Sequence, residues 1–213
     1  NPFYQIYEGA ALLAGATPVF LNYGMRFDQI EWDGVQLAYA CSPANPTGKV
    51  MPLEAWRELF ELSDRHGFTI ASDECYSEIY SDEGKPPLGA LDAAHRLGRK
   101  DFRRLVMFTS LSKRSNAPGM RSGFVAGDAT LLRQFLLYRT YHGSAMSIAV
   151  QRASIAAWND EAHVRENRRL YAGKFAAVLP SIRNPLQTGR PEGGFYLWIR
   201  TPIDDADFAR RLR

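Results

Sequence analysis

The chain has 213 residues, 46% of them hydrophobic and 23% charged, which is the composition of an ordinary soluble globular protein. Its formal net charge of +3 is small and its basic residues are scattered, so no nucleic-acid partner is expected. No apolar run is long enough to span a bilayer and no segment resembles a signal peptide, so no membrane association is expected. This length allows one large domain, or one domain and part of another.

The first half of the chain alternates between apolar runs at strand spacing and apolar residues at helical spacing. A helix is predicted over residues 8–14, ended by Gly15, and strands are predicted over 17–21 and 35–40. The second strand runs into a segment of turn formers, 41–48, that cannot continue it. A helix from Pro52 to near Gly67 and a strand over 68–72 then complete a β-α-β unit, which is typical of parallel sheets.

The apolar pattern of the second half of the chain predicts mostly helices. A loop and a short helix fill residues 81–103, and apolar strands over 105–108 and 123–127 follow. Asp128 is a candidate cap for a helix over 129–141, and further helices are predicted over 147–158 and 160–179. A strand with a glycine entry is predicted over 193–199, and the pattern of residues 207–213 predicts the first turns of an amphipathic helix.

The connection between the strands at 105–108 and 123–127 carries Lys113. A partly desolvated lysine loses its proton easily and can form a Schiff base with a carbonyl. Ser110, Ser112 and Arg121 would supply hydroxyl donors and a bidentate cation, which suit a phosphate. A carbonyl and a phosphate on one ligand indicate pyridoxal phosphate. Taken alone, the segment also fits a solvated loop in which Arg121 pairs with a surface acid.

Other polar residues follow the remaining predicted strands. Asp73 comes directly after one strand, Tyr76 lies three residues further on, and Asn45 lies in the turn after another. The carboxyl ends of parallel strands line the ligand crevice, so these residues belong to a site. A pyridine ring that accepts electrons needs an acid at its nitrogen and donors at its phenolic oxygen. Asp73 fits the first role, and Asn45 and Tyr76 fit the second.

Four motifs in order carry a family resemblance: Asn-Pro-Thr-Gly at 45–48, Asp-x-x-Tyr at 73–76, Ser-x-Ser-Lys at 110–113, and Arg121 at the expected spacing. The chain resembles the fold-type I pyridoxal-phosphate enzymes of the class I/II aminotransferase family along essentially its whole length. The resemblance implies an α/β fold with a mostly parallel central sheet flanked by helices. It places the cofactor-binding large domain at 1–159, and a connecting helix with the start of a small α+β domain at 160–213.

The resemblance also implies roles and partners. Lys113, Asp73 and Tyr76 would be catalytic, Tyr4 would stack on the cofactor ring, and Phe195 would lie near the substrate or in the core. Substrates would be an amino acid and a 2-oxo acid, and the full-length protein would be a homodimer. Segments 1–10 and 110–127 are similar to N-succinyldiaminopimelate aminotransferases, which implies glutamate as amino donor and N-succinyl-2-amino-6-oxopimelate as acceptor in lysine biosynthesis.

Several alternatives stay open within this resemblance. They are an aminotransferase for aspartate, alanine or aromatic amino acids, a carbon–sulfur lyase, and the aminotransferase-like effector domain of a transcription regulator. Cys41 and Cys75 are too few for a disulfide framework, so a reduced, cytoplasmic protein is expected, and no metal site is predicted. The family's glycine loop for phosphate and the partner tyrosine would precede Asn1, and the arginine for the substrate carboxylate would follow residue 213. This chain by itself is therefore expected to be inactive.

Overall fold

The computed structural model describes residues 1–22 and 25–212, and within them one sheet has the strand order β1-β2-β3-β4. Strands β1, β2 and β3 are parallel, and β4 runs antiparallel to β3. The strands are β1 Leu37–Cys41, β2 Thr69–Asp73, β3 Leu105–Ser110 and β4 Gly123–Gly127. The helices are α1 Ile6–Leu13, α2 Leu53–His66, α3 Ala90–Arg96, α4 Leu111–Arg114, α5 Ala129–Tyr141, α6 Ile148–Asn159, α7 Ala162–Val178 and α8 Asp205–Arg211, with short 3-10 turns at Phe27–Gln29, Pro118–Met120 and Leu179–Ser181.

Local sequence signals explain where the helices begin and end. The helix α2 ends at Gly67, which takes a left-handed φ of 85° that a side chain would disfavour. The carboxylate of Asp128 accepts hydrogen bonds from the amides of Thr130 and Leu131 at the start of α5. The Ser147 hydroxyl accepts one from the amide of Val150 at the start of α6. The predictions of these helices are confirmed. The short helix predicted within 81–103 is α3, and the helical turns predicted over 207–213 belong to α8, which ends at Arg211. Residue 213 lies outside the described residues.

The core lies between the sheet and the helices α2 and α3. The apolar face of α2 buries Trp56, Leu59 and Phe60, and on the sheet side the ring of Phe68 stacks on Trp32 with centroids 4.8 Å apart. Burying a large apolar side chain contributes roughly 1.5–3 kcal/mol. The buried hydrophobic residues of this cluster are Trp32, Ala40, Trp56, Leu59, Phe60, Leu62, Phe68, Ile70, Ala90, Ala93, Ala94 and Leu105.

The register of the parallel strands brings their carboxyl ends to one edge. Cys41 at the end of β1 lies opposite Asp73 at the end of β2, and Asp73 lies opposite Phe108 in β3. The predicted β-α-β unit is confirmed, and so is the position of Lys113 between β3 and β4. The polar residues that follow these strands therefore start from the same edge of the sheet.

The strand predicted over 17–21 is wrong. These residues lie outside the sheet, and their contacts are with the start of the chain: the Leu21 carbonyl oxygen accepts a hydrogen bond from the amino group of Asn1, and Phe20 stacks on Phe3 with centroids 5.4 Å apart. A strand needs a neighbour that satisfies its backbone groups in a ladder. Within the described residues this segment has no such neighbour, although its apolar pattern resembles that of a strand.

The strand predicted over 193–199 is also wrong. The segment forms only an isolated bridge between Gly193 and Tyr80, because its backbone turns at Gly194, where φ is 84°. The amide of Gly194 donates to the carbonyl oxygen of Ile79 at 2.7 Å, and a Cβ on Gly193 would lie 2.4 Å from the Cγ of Pro43. The glycines therefore allow close docking of this segment instead of starting a ladder.

The domain boundary predicted between residues 159 and 160 stays a prediction. The part after it holds α7 and α8, and α7 packs against the Lys113 region through side chains described below. Among the described residues, no helix is long and apolar enough to cross a membrane.

Replacing Phe68 by alanine should lower the free energy of unfolding by about 3–5 kcal/mol, since it leaves a cavity beside Trp32. The matched change Phe20→Ala removes a ring that is 44% exposed, and it should cost about 1 kcal/mol or less. Urea unfolding of the full-length protein, followed by tryptophan fluorescence, measures both losses. Equal losses for the two variants would contradict this assignment of the core.

Candidate active site

Lys113 lies on α4, a single helical turn that follows β3 directly. The Ser110 hydroxyl accepts a hydrogen bond from the amide of Ser112 at 3.3 Å, which starts the turn. The amide of Leu111 donates to the Ser122 carbonyl oxygen at 3.0 Å and so fixes the turn to the residue before β4. This tight connection holds the lysine at the carboxyl edge of the sheet.

The amine of Lys113 lies among aromatic rings. Its Nζ is 5.2 Å from the ring centroid of Phe195 and 6.0 Å from that of Tyr76. Within residues 1–22 and 25–212 it forms no ion pair with a carboxylate. An amine held against rings without a counter-ion is available to a ligand, which does not fit the alternative of a solvated surface loop.

Asp73 is held from two sides at the end of β2. The Tyr7 hydroxyl donates a hydrogen bond to its Oδ2 at 2.6 Å, and the Cys75 amide donates to its Oδ1 at 3.0 Å. The ring of Tyr7 stacks on that of Tyr39 in β1, with centroids 4.7 Å apart. The carboxylate therefore has a fixed orientation at the edge of the sheet.

The contact of Tyr7 with Asp73 is not predicted by the sequence motifs. Tyr7 lies in the first turn of α1, its amide donates to the carbonyl oxygen of Tyr4 just before the helix at 3.1 Å, and the two rings meet edge to face with centroids 5.8 Å apart. Tyr4 itself is 43% exposed. The pair of tyrosines at helical spacing was a usable signal, but only the structure shows that Tyr7 reaches Asp73.

The groups around Asp73 stay protonated. Burial raises the pKa of Tyr7, and the nearby Cys41 and Asp73 raise it further. Burial also raises the pKa of Cys75 to about 12, with Coulombic repulsion by Asp73 as the next cause. Tyr7 is therefore a neutral hydrogen-bond donor to the Asp73 carboxylate over the whole physiological range of pH.

Tyr76, three residues after Asp73, is buried. Its hydroxyl lies 2.8 Å from that of Tyr196, and burial raises its pKa, with the hydrogen bond to Tyr196 as the next cause. Tyr196 was not predicted as a site residue. It comes close because the 193–196 segment docks against Ile79 and Pro43, a contact that the local sequence does not show.

The remaining candidates line the same edge with fewer contacts. Asn45 is half-buried in the turn after β1. Arg121 is exposed, has a left-handed φ of 51°, and donates from Nη1 to the Pro118 carbonyl oxygen at 2.8 Å. The β3–β4 register sets Ser110 opposite Gly123, two residues after Arg121. In the described part of the chain, no side-chain hydrogen bond joins Arg121 to Ser110 or Ser112.

With this geometry in place, the chain can be compared with known proteins. The profile of the family "Aminotransferase class I and II" matches residues 1–213. The chain belongs to the class I and II aminotransferase family. The fold prediction of fold type I is confirmed, and the family is dependent on pyridoxal phosphate.

Individual aminotransferases are also similar to this chain in sequence and structure. An aminotransferase of Neisseria meningitidis superposes with a TM-score of 0.94 and 56% identity, covering 100% of this chain and 56% of that one. An LL-diaminopimelate aminotransferase of Maridesulfovibrio salexigens is 30% identical over 225 residues, covering 100% of this chain and 57% of its own length. A "probable N-succinyldiaminopimelate aminotransferase" of Thermus thermophilus shares the fold, with a TM-score of 0.88 at 24% identity and coverage of 99% and 58%. This chain therefore spans little more than half of these relatives.

The donor set at the sheet edge fits the family's cofactor. It offers a primary amine without a carboxylate partner on Lys113, an oriented carboxylate on Asp73, and hydroxyls and a guanidinium at the β3–β4 end. An aldehyde, a ring nitrogen and a phosphate need these groups. In the described chain, no group of three or more His, Cys, Asp or Glu residues could hold a metal ion.

At pH 8.5 the Cys75 thiol should react with iodoacetamide about 10³-fold more slowly than a cysteine in the urea-unfolded protein, because little of it is thiolate. Asp73→Asn should speed this reaction several-fold, since it removes the repulsion that raises the Cys75 pKa. Mass spectrometry of the Cys75 peptide gives the rates, and Asp92→Asn on the exposed face of α3 is the control. Equal rates in folded and unfolded protein would refute the burial of this thiol.

Proposed function

We propose that the full-length protein containing this chain is a pyridoxal-phosphate-dependent aminotransferase, which moves an amino group between an amino acid and a 2-oxo acid. The observation that carries the proposal is the Lys113 amine, which lies beside the rings of Tyr76 and Phe195 and has no carboxylate partner among the described residues, at the sheet edge where Asp73 is oriented. Membership of the family supports the same reaction class.

Each predicted site residue has a place in this proposal. Asp73 would accept a hydrogen bond from the cofactor's ring nitrogen, and the hydrogen bond from Tyr7 would keep the carboxylate oriented for it. When bound, the cofactor supplies an electron sink through its pyridine ring. The other residues proposed to hold the cofactor are Tyr4, which would lie against the ring face, Asn45 and Tyr76, which would bind the phenolic oxygen, and Ser110, Ser112 and Arg121, which would bind the phosphate.

Lys113 has two tasks. Its Nζ would bind the cofactor's aldehyde carbon covalently in the resting enzyme and would be released as a free amine when the amino group of the substrate replaces it. The freed amine next takes the proton from the α-carbon of the substrate, as a general base. The rings of Phe195 and Tyr76 lie beside this amine, with centroids 5.2 Å and 6.0 Å from Nζ, and so border the space in which it would act.

For the substrate, we propose N-succinyl-2-amino-6-oxopimelate, with glutamate as amino donor, in diaminopimelate and lysine biosynthesis. Segments 1–10 and 110–127 support this through their similarity to N-succinyldiaminopimelate aminotransferases. A relative named LL-diaminopimelate aminotransferase supports the diaminopimelate backbone without the succinyl group. The competing activities are those of an aminotransferase for aspartate, alanine or aromatic amino acids, of a carbon–sulfur lyase, and of a transcription regulator that binds the cofactor to sense it. We further propose a cytoplasmic homodimer.

The first test uses the full-length protein, incubated with pyridoxal phosphate and reduced with borohydride. Mass spectrometry should find the pyridoxyl label on Lys113. Lys113→Ala should lower kcat by at least about 10⁴-fold, because it removes both the anchor and the base. Lys100→Ala, on an exposed residue, is the matched control. A label on another lysine, or normal turnover of Lys113→Ala, would overturn the proposal.

A substrate panel tests the finer proposal. With glutamate as donor, kcat/KM for the succinylated keto acid should exceed that for 2-oxo acids of aspartate, alanine and phenylalanine by about 10²-fold or more, since unpaired polar groups in a site disfavour analogues that lack the partner. Transfer to or from LL-diaminopimelate is measured in the same panel. Preference for LL-diaminopimelate would replace the proposed substrate with the compound that lacks the succinyl group. Release of pyruvate without amino transfer would indicate a carbon–sulfur lyase.

A further inference from the structure

The turn that carries Lys113 needs support from outside. The helix α4 spans only Leu111–Arg114, and the last carbonyl groups of any helix have no partner within it. A helix of one turn has little stability of its own. Whatever satisfies these carbonyls therefore decides how firmly the lysine is held.

We propose that Asn167 is a positioning residue for Lys113, an inference that rests on the proposed function. Asn167 lies in α7 and is 7% exposed. Its Nδ2 donates hydrogen bonds to the carbonyl oxygen of Lys113 at 3.2 Å and to that of Arg114 at 3.4 Å. One side-chain amide thus caps the end of α4 across 54 residues of sequence.

The contacts continue from Asn167 back to the amine of Lys113. Its Oδ1 accepts a hydrogen bond from Asn116 Nδ2 at 3.0 Å, and Asn116 Oδ1 accepts one from the Tyr171 hydroxyl at 3.2 Å. The ring of Tyr171 stacks on Phe195 with centroids 5.5 Å apart. Phe195 is the ring 5.2 Å from Lys113 Nζ. The backbone and the amine of Lys113 are therefore both linked to α7.

The next residue of α7, Arg168, contacts a second segment of the chain, the one that follows Tyr76. Arg168 is buried, donates to Glu83 from Nε at 2.6 Å, and lies over the ring of Tyr80 at 4.5 Å. Consecutive buried polar residues of α7 thus contact the segment that follows Tyr76 and the turn that carries Lys113. A side chain that only filled the core would not need these polar atoms, since an apolar residue of similar volume packs as well.

The test uses the full-length protein and the variants Asn167→Asp, Asn167→Ala and Tyr171→Phe. Asn167→Asp keeps the shape of the side chain but turns its donor into an acceptor. Asn159→Asp is the matched control, because Asn159 also donates from Nδ2 to a helix carbonyl, that of Ile155, but is exposed. Hydrogen exchange of residues 111–117 is measured without cofactor, and kcat, KM and the visible circular dichroism are measured with it.

Loss of the cap should speed exchange of the Ser115 and Ala117 amides, which donate to the Leu111 carbonyl oxygen, by about 10-fold or more. Both Asn167 variants should lose about 10- to 100-fold in kcat, with KM within about twofold and a weaker dichroic band, because the amine is misplaced. Tyr171→Phe should speed the same amide exchange and lower kcat by about two- to fivefold each, since it removes only the hydrogen bond from Tyr171 to Asn116 and leaves those of Asn167 to the turn in place.

Wild-type exchange and kcat in the Asn167 variants would overturn the inference, and so would equal effects of Asn159→Asp. If the buried substitutions at Asn167 prevent folding, Tyr171→Phe decides, because it keeps the stacked ring; unchanged exchange at Ser115 in that variant refutes the proposed chain of contacts. Borohydride labelling of the wild-type protein separates the two proposals. A missing label on Lys113 removes the aminotransferase proposal, while the exchange data still decide whether Asn167 holds the turn.

Discussion

The alignment of the parallel strand ends is the constraint on which the site depends. Cys41 and Asp73, the last residues of β1 and β2, lie opposite each other in register, and Asp73 lies opposite Phe108, two residues before the end of β3, so the three strands end at the same edge of the sheet. The chain then turns at each of these ends. After β3, the hydrogen bond from Leu111 to the Ser122 carbonyl oxygen permits only one helical turn before the return to β4, and Lys113 lies on that turn. A shift of this register by one residue would reverse the faces of the side chains and separate the lysine from the carboxylate.

Interactions between residues that are close in sequence could be predicted, whereas interactions between distant residues could not. The helix that ends at Gly67 and the cap at Asp128 are local, so periodicity and turn chemistry found them. The motif residues were placed at strand ends because an apolar run followed by a polar residue is visible in the sequence. The apolar segments 17–21 and 193–199 were mistaken for strands because pairing depends on a distant partner, which a local pattern does not contain.

The same limit applies to the site. Tyr7 reaches Asp73 across 66 residues and Tyr196 reaches Tyr76 across 120, so neither contact could be read from a neighbouring motif. The family resemblance implies roles for Lys113 and Asp73 but does not identify the residues that contact them. These supporting contacts come from α1 at the start of the chain and from α7 and the 193–196 segment near its end. The motif segments thus provide the reactive groups, and distant parts of the chain fix their orientation.

The protonation of the supporting groups explains why they suit this task. Burial raises the pKa of Tyr7, Cys41 and Cys75, so neutral hydroxyl and thiol groups surround the carboxyl end of β2. Neutral donors orient a carboxylate without neutralising it, whereas an arginine in their place would pair with it directly. The buried arginines near the site are used elsewhere, since Arg114 pairs with Glu161 and Arg168 with Glu83. Asp73 is thereby left to interact with a cationic group on a ligand, which is the property that a protonated pyridine ring requires.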